Sequence, residues 1–574
     1  MLFRSPISRL RAAPLGLPDV AVILGALVAL ALLARVGAGT LVSFVPNKTV
    51  PHVDLNPRNL PYYAARSTLR MFVALSWSTA FTLVYGYVAA RSRRAERVLI
   101  PLLDVLQSVP VLGFLSITVT GFIALFPGNL LGLELASVFA IFTSQAWNMA
   151  FAFYQSLRSI PAELDEAARL YGLSGWQRFV QIDVPSSMIG LVWNAMMSFG
   201  GGWFFLAASE AISVLNQQYT LPGVGSYVAA AIVAKDVPAL VWAAVTIAVV
   251  IVVVDQLFWK PLVAWSDKFR MEQSAAAAAP SSWVYDLLRG SILPGLIARV
   301  LRPGWDLIGR ILGALTAPRP RRAEVRPSSL ADRLYDLVLL VAVVGLAIVA
   351  AAFVIRGVGL LEVVKVFGLG FLTLGRVVVL LIFATLIWTP LGVAIGFSPR
   401  LARTLQPVVQ FLASFPANLI FPFATIAFIR FHVSINWGCI LLMALGAQWY
   451  ILFNTIAGAQ SIPTELREMM ADLEITGWLR WRRLIIPGIF SSWVTGAITA
   501  SGGAWNASIV SEVVSWGSVT LTAAGLGTYI ADATAKGDWI RITLGISVMS
   551  MFVVAANRFF WRRLYRYAEE RFSR

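Results

Sequence analysis

The chain has 574 residues, 58% of them hydrophobic and 13% charged, with a mean hydropathy of +0.76 and a net charge of +17. A soluble domain carries about 25% charged residues, so a soluble enzyme is excluded and an all-α polytopic membrane protein is predicted; the short alternating strands of a membrane barrel do not appear. One cysteine, Cys439, excludes an internal disulfide, and with two histidines, His52 and His432, no metal site or nucleophilic triad is expected.

Apolar runs long enough to cross ~30 Å of hydrocarbon recur along the chain, and about twelve spans are predicted, six in each half. Arg4, Arg9 and Arg11 precede the first run, which lacks a small-residue cleavage site, so a retained helix is expected over Val20–Leu33. Further spans are expected over Leu69–Ala90, Val98–Leu125, Leu135–Gln155, Ser186–Leu215 and Pro238–Val263. Residues 1–265 thus form a first repeat. Residues 266–329 differ in composition, with the run Ala275–Ala279 and several prolines. Within them, Leu287, Leu288, Ile292, Leu296, Ile297, Val300 and Leu301 fall at helical spacing among Arg289, Arg299 and Arg302. That pattern predicts an amphipathic helix on the inner membrane surface, in a linker whose plainest role is to tether two units. A second repeat, 330–574, has spans over Leu330–Ile355, Leu374–Phe397, Leu405–Ile429, Ser434–Ala457, Gly488–Trp516 and Trp539–Phe560.

Arginines choose the sides. Arg91, Arg93, Arg94, Arg97, Arg158, Arg169, Arg178, Arg400, Arg403, Arg467, Arg480, Arg482, Arg483 and the tail from Arg558 to Arg574 all fall on one side of an alternating path. The positive-inside rule makes that side the cytoplasm and puts both termini there. Six spans per half give two parallel repeats related by an axis along the membrane normal. Attraction to lipid headgroups accounts for the basic excess, and no nucleic-acid partner is expected.

The halves repeat each other residue by residue. Ile160-Pro161-Ala162-Glu163-Leu164 returns 302 positions later as Ile462-Pro463-Thr464-Glu465-Leu466. The same shift carries Glu166 to Glu468, Gly175-Trp176 to Gly477-Trp478, Trp203 to Trp505 and Ser209-Glu210 to Ser511-Glu512. Upstream the shift is 306, as in Arg70/Arg376, Pro101/Pro407 and Pro110/Pro416. A repeat this long implies two homologous units around a shared axis, with a pathway between them.

Between the fourth and fifth spans the first copy reads Glu163-Leu-Asp-Glu166-Ala167-Ala168-Arg-Leu-Tyr-Gly172, then nine residues, then Ile182-Asp-Val184-Pro185. Pro161 suits a first helical turn, Glu163 and Glu166 lie where the helix dipole favours anions, and Gly172 permits the exit turn. A short helix outside the bilayer with an exposed face is a docking element. This segment resembles the Glu-Ala-Ala loop of permease subunits of ATP-binding cassette importers, with Val184 in place of leucine. The second copy keeps Glu468 and Pro487 but has Met469-Met470 and Glu474 where the pattern has Ala-Ala and Gly. The resemblance implies the type I importer permease fold, with coupling helices at about 161–176 and 463–478. It assigns ATPase coupling to Glu163, Glu166, Ala167, Ala168, Gly172, Glu465 and Glu468. No Gly-x-x-x-x-Gly-Lys-Ser/Thr phosphate loop occurs in the chain, so the implied ATP and Mg are used by two separate ATPase subunits. The chain itself is expected to be no enzyme and to bind no cofactor.

The fifth spans carry Gly200-Gly201-Gly202-Trp203…Ser209-Glu210 and Gly502-Gly503-Ala504-Trp505…Ser511-Glu512. Ionisable groups inside a span are functional candidates by default, so Glu210 and Glu512 are either pathway groups or interhelical anchors. Trp203 and Trp505 either line the pathway or pack against glycine. Together with Gly223-x-Gly225-x-Tyr227 and Gly525-x-Gly527-x-Tyr529, this arrangement resembles the nitrate/sulfonate/taurine/bicarbonate branch. The branch implies uptake of a small anion across a bacterial inner membrane, delivered by a periplasmic or lipid-anchored binding protein. Arg70 and Arg376, at equivalent outer starts of the second spans, are either the better pair of cations to steer an anion or helix-end side chains that snorkel to the interface. A proton-coupled secondary transporter using Glu210 and Glu512 is the alternative from another class.

Overall fold

A computed structural model describes residues 16–39, 53–113, 115–214, 217–269, 281–316 and 329–572; His52 and the arginines before residue 16 lie outside them. The first half runs α1 (Leu17–Ala38), α2 (Leu60–Arg91), α3 (Arg93–Ser108), α4 (Leu115–Leu125), α5 (Leu131–Arg158), α6 (Ala162–Leu170), α7 (Gly175–Arg178), α8 (Val184–Glu210), β1 (Ala211–Val214), β2 (Gln217–Thr220), α9 (Val224–Ala234), α10 (Val237–Val254) and α11 (Lys260–Ser266). Two helices, α12 (Trp283–Gly290) and α13 (Leu293–Leu315), occupy the linker. The second half repeats the order as α14 (Ser329–Val358), α15 (Leu360–Phe397), α16 (Pro399–Ser414), α17 (Phe421–Arg430), α18 (Ile435–Ser461), α19 (Thr464–Asp472), α20 (Gly477–Arg480), α21 (Ile486–Ser511), β3 (Val513–Trp516), β4 (Val519–Thr522), α22 (Leu526–Lys536), α23 (Trp539–Ala555) and α24 (Arg562–Phe572).

Local signals are duplicated with the helices. Ser92 and Ser398 cap α3 and α16 by accepting from the amides of Ala95 and Leu401. Asp236 and Asp538 do the same for α10 and α23. Five-residue π turns, Phe179–Asp183 and Trp481–Ile485, lead into α8 and α21 at matching places.

Among the described residues ten helices are long and apolar enough to cross a membrane. The spans predicted over Val98–Leu125 and Leu405–Ile429 are not among them, because each is broken in two. The cause is proline. Val109 before Pro110 and Phe415 before Pro416 are extended, with ψ of 124° and 126°, since a following proline ring disfavours the helical region. The fifth spans also end earlier than predicted. At Ala211 and Val513 the chain leaves the helix for antiparallel hairpins, paired Ala211 with Thr220 and Val513 with Thr522. Gly517, at φ +59°, makes the second turn, and its amide donates to the carbonyl of Ile232 in the first half at 3.0 Å.

Helices α2, α5 and α8 form the centre of one half and α15, α18 and α21 that of the other. One continuous core joins them: Val111, Leu112, Leu133 and Leu221 pack with Met443, Trp505, Leu526 and Met549. The broken third segments cross between the halves in a two-fold manner. The amide of Val111 donates to Asn506 Oδ1 on α21 at 3.0 Å, and Asn418 Nδ2 donates to the carbonyl of Phe204 on α8 at 3.0 Å. Irregular backbone inside a membrane protein is tolerated where protein or a cavity satisfies it, which is its situation here. Helices α1 and α14 are outermost, with apolar side chains exposed on most sides.

Candidate functional site

Three features emerge from this frame: an elbow at one end of each half, a cavity between the halves, and a buried carboxylate at the far end of α8 and α21. The elbows sit at the arginine-rich end. In the first, α6 closes with Gly172 at φ +59°, and the Leu173 amide reaches back to the Ala168 carbonyl at 3.0 Å, the αL cap that favours glycine. The second elbow makes the same cap at Glu474, φ +52°, with Ile475 bonding to Met470 at 2.9 Å. Glu163, Glu166, Gly172, Glu465 and Glu468 are exposed, Ala167 is half-buried, and Ala168 is buried against the base of the loop. The projecting apolar side chains are Leu170 and Tyr171 in the first copy and Leu466, Met469 and Leu473 in the second.

The roots of the elbows differ. In the first, Arg91 pairs with the fully buried Asp183, while Arg178 pairs with Asp165 and lies 3.6 Å from Asp183. The corresponding second-half residues are Phe397, Ile485, Arg480 and Arg467, none of them a carboxylate. There Arg467 and Arg480 stack over Phe397, their guanidinium carbons 4.9 and 5.5 Å from the ring centre.

Between the halves lies a cavity of about 270 Å³. Helix α8 supplies Trp193, Met196 and Gly201, α16 supplies Gln406 and Gln410, and α18 supplies Trp449 and Tyr450. A smaller chamber beyond Tyr450 reaches Gly503 and Asn506 of α21. The lining is neutral, with amides and aromatic rings over an apolar floor. Gly200, Gly201 and Gly503 keep α8 and α21 thin at this level; a Cβ on Gly200 would lie 2.7 Å from Ser414 Oγ. Neither Trp203, Ser209 and Glu210 nor Trp505, Ser511 and Glu512 lines this space, and Arg70 and Arg376 do not either.

Those eight residues sit elsewhere. Glu210 ends α8 with no exposed surface, and Arg70 Nη1 and Ser67 Oγ donate to its Oε1 at 2.6 and 2.5 Å. Its Oε2 accepts from the amide of Gly225 at 2.6 Å. Arg70 also grips Glu134, Nε to Oε2 at 2.5 Å, and Arg66 shares that acid. In the second half Arg376 Nη1 and Thr373 Oγ1 donate to Glu512 Oε1 at 2.7 and 2.9 Å, and the amide of Thr528 donates to Oε2 at 3.1 Å. Asn436 stands where the first half has Glu134, and Leu372 where it has Arg66. Each glutamate therefore ties the second transmembrane helix of its half to the first turn of the helix after the hairpin, α9 or α22. A Cβ on Gly223 or Gly525 would collide with the carboxylate. Trp203 packs edge-on to Phe199, and Trp505 stacks on Phe552 at 6.0 Å. Ser209 bonds Ser137 at 2.7 Å, and Ser511 Oγ is buried without a partner.

Cavity residues such as Gln410 and Tyr450 escaped sequence reasoning because neutral groups in apolar runs carry no signal. Glu134 could have been found by the rule that singled out Glu210, being an acid at the head of an apolar run.

Comparison with known proteins gives one family and a group of relatives. The model of the "binding-protein-dependent transport system inner membrane component" family matches residues 82–258 and again 388–574, more than half of the chain. A nitrate import permease protein of Leptolyngbya laminosa is 25% identical over 185 residues, 32% of this chain and 63% of the relative. A bicarbonate transport system permease protein of Synechocystis is 29% identical over 174 residues, 30% of this chain and 59% of the relative. A Bacillus subtilis permease protein named for aliphatic sulfonates transport is 27% identical over 161 residues, 28% of this chain and 55% of the relative. The chain thus spans between half and two thirds of the length of these relatives.

Proposed function

Because the chain belongs to the family of inner-membrane components of binding-protein-dependent transport systems, we propose that it is a transmembrane permease subunit of an ATP-driven importer, two permease units in one polypeptide, moving a small anion of the nitrate, bicarbonate, sulfonate or taurine kind. The observation that carries this reading is the pair of elbows. Both project exposed faces from the arginine-rich end, in a chain without a phosphate loop, so each offers a seat to a separate ATPase subunit. That end is the cytoplasmic side by its charge, and the hairpin end meets a substrate-binding protein outside. The anion passes through the neutral cavity between α8, α16, α18 and α21. Movement follows from the elbows: closure of two ATPases on ATP pulls α6 and α19 together and reorients the helices they join. The switch needs ligand contacts that differ between the two states, and the binding protein and nucleotide supply them from opposite ends.

The proton-driven alternative requires Glu210 and Glu512 to release and regain protons. Their engagement with Arg70, Arg376 and backbone amides favours the anchoring role and hence the ATP-driven reading. The test is uptake into vesicles holding the permease with its ATPase and binding protein, using labelled nitrate, bicarbonate and ethanesulfonate. Uptake of one of them that needs ATP and ignores a proton gradient is expected. Gly201→Leu, which fills the cavity, should abolish uptake while leaving the ATPase bound. Uptake driven by a proton gradient without nucleotide would overturn the reading.

A further inference from the structure

The linker makes specific contacts at both ends. At its start, Asp19, buried in the first turn of α1, accepts from Ser291 Oγ at 2.7 Å and from the Ile292 amide at 2.8 Å. This pins the beginning of α13 to the mouth of the first membrane helix. At its end, Thr316 reaches the first elbow. Its carbonyl accepts from the Gly175 amide at 3.0 Å, and its Oγ1 accepts from the Trp176 amide at 3.0 Å. Trp305 lies against Trp176 with ring centres 6.1 Å apart. Helix α13 is 23 residues long, about 35 Å, so it spans from a transmembrane helix to a docking loop. At the second elbow the equivalent of Trp176, Trp478, is 72% exposed.

Two faces of α13 remain. Ile297, Val300, Leu301, Ile308, Ile311 and Leu315 form an apolar stripe at helical spacing, all exposed. Arg299, Arg302 and Arg310 lie on the opposite, polar face, where Arg302 Nε stands 3.7 Å from Asp306, with Arg289 on α12. The occupant follows from position and charge. The helix starts beside Asp19, where α1 begins its apolar run, a position from which the stripe can enter the leaflet and the basic face can reach headgroups.

We infer that α12 and α13 form a strap bound to anionic lipid: the stripe enters the inner leaflet, the arginines pair with headgroup phosphates, and Thr316 holds the first elbow alone. Lipid charge then sets the rigidity of one elbow and leaves the other untouched. The significance of that asymmetry for coupling rests on the reading of the elbows as ATPase seats, but the lipid contact does not.

The test uses the full-length protein without ATPase, in vesicles of phosphatidylcholine or of equimolar phosphatidylcholine and phosphatidylglycerol, with amide hydrogen exchange as readout. The Gly175 and Trp176 amides and residues 293–315 should exchange about tenfold more slowly with phosphatidylglycerol. Gly477 and Trp478 should not change. The triple variant R299Q/R302Q/R310Q, altered only at exposed positions, should remove the difference. Equal exchange in both vesicles overturns the proposal, as does protection of 293–315 that arises only when ATPase is added, which would assign the stripe to a protein partner.

Discussion

The two halves follow the same backbone course with different chemistry holding it. At the hairpin end the first half buries two arginines against two acids, Arg66 and Arg70 with Glu134 and Glu210; the second keeps only Arg376 and Glu512, with Leu372 and Asn436 in the other places. At the elbow end the first half uses Arg91, Asp165, Arg178 and Asp183, and the second stacks Arg467 and Arg480 on Phe397. Among the described residues, both copies keep the arginine–glutamate pair whose carboxylate accepts from an amide after the hairpin. What a duplicated chain keeps is the contact that fixes backbone position; the rest of each network is replaceable so long as no buried charge is left alone.

The sharpest way to break that comparison is to remove the retained acids. Glu512→Gln leaves Arg376 buried with only neutral acceptors, at a cost of about 3–5 kcal/mol. Glu210→Gln should cost less, because Arg70 keeps Glu134. Thermal unfolding in detergent measures both, and equal losses would show that the extra acid of the first half carries no load. The next effect concerns the elbow roots. Arg91→Ala strips the buried Asp183 of its closest cation and should cost about 1–3 kcal/mol, whereas Phe397→Leu, which keeps most of the apolar packing at that site, removes cation–π contacts worth about 1 kcal/mol. Matching losses in a denaturation series would erase the distinction between an ionic and an aromatic root. The smallest effect is at the caps. Glu474→Gly relieves a left-handed residue and should stabilise by about 1 kcal/mol, while Gly172→Ala should destabilise by a similar amount. A cap that ignores both changes would mean the elbows owe nothing to their αL turns.

Much of this was legible in the sequence, because the governing physics is local or periodic. Hydropathy gives the spans, the fixed offset gives the two units, and Pro161 with Gly172 gives a helix bounded by its own start and stop signals. The breaks in the third spans are written in the sequence as well, at Pro110 and Pro416, but their effect falls on the backbone of Val109 and Phe415 and leaves the hydropathy that predicts a span unchanged. The hairpins were hidden in apolar runs, where Val513-Val514-Ser515-Trp516 reads equally well as the end of a span. Partners of Arg70 lie 64 and 140 positions away, so nothing in their own neighbourhoods marks them as a pair. The cavity is less legible still, since it exists only where α8 of one half meets α16 and α18 of the other.

The central claim is that the two elbows are levers for a motor outside the chain. Cys439 is the lone native thiol and is buried, so Leu170→Cys and Leu473→Cys place single reactive thiols on the two exposed elbow tips. The decisive measurement is site-specific cross-linking of these variants to the ATPase subunits of the assembled complex, with and without ATP. The account predicts that both positions cross-link to an ATPase and that the yield changes when ATP binds. Elbows that cross-link to nothing in a complex that still transports would contradict it.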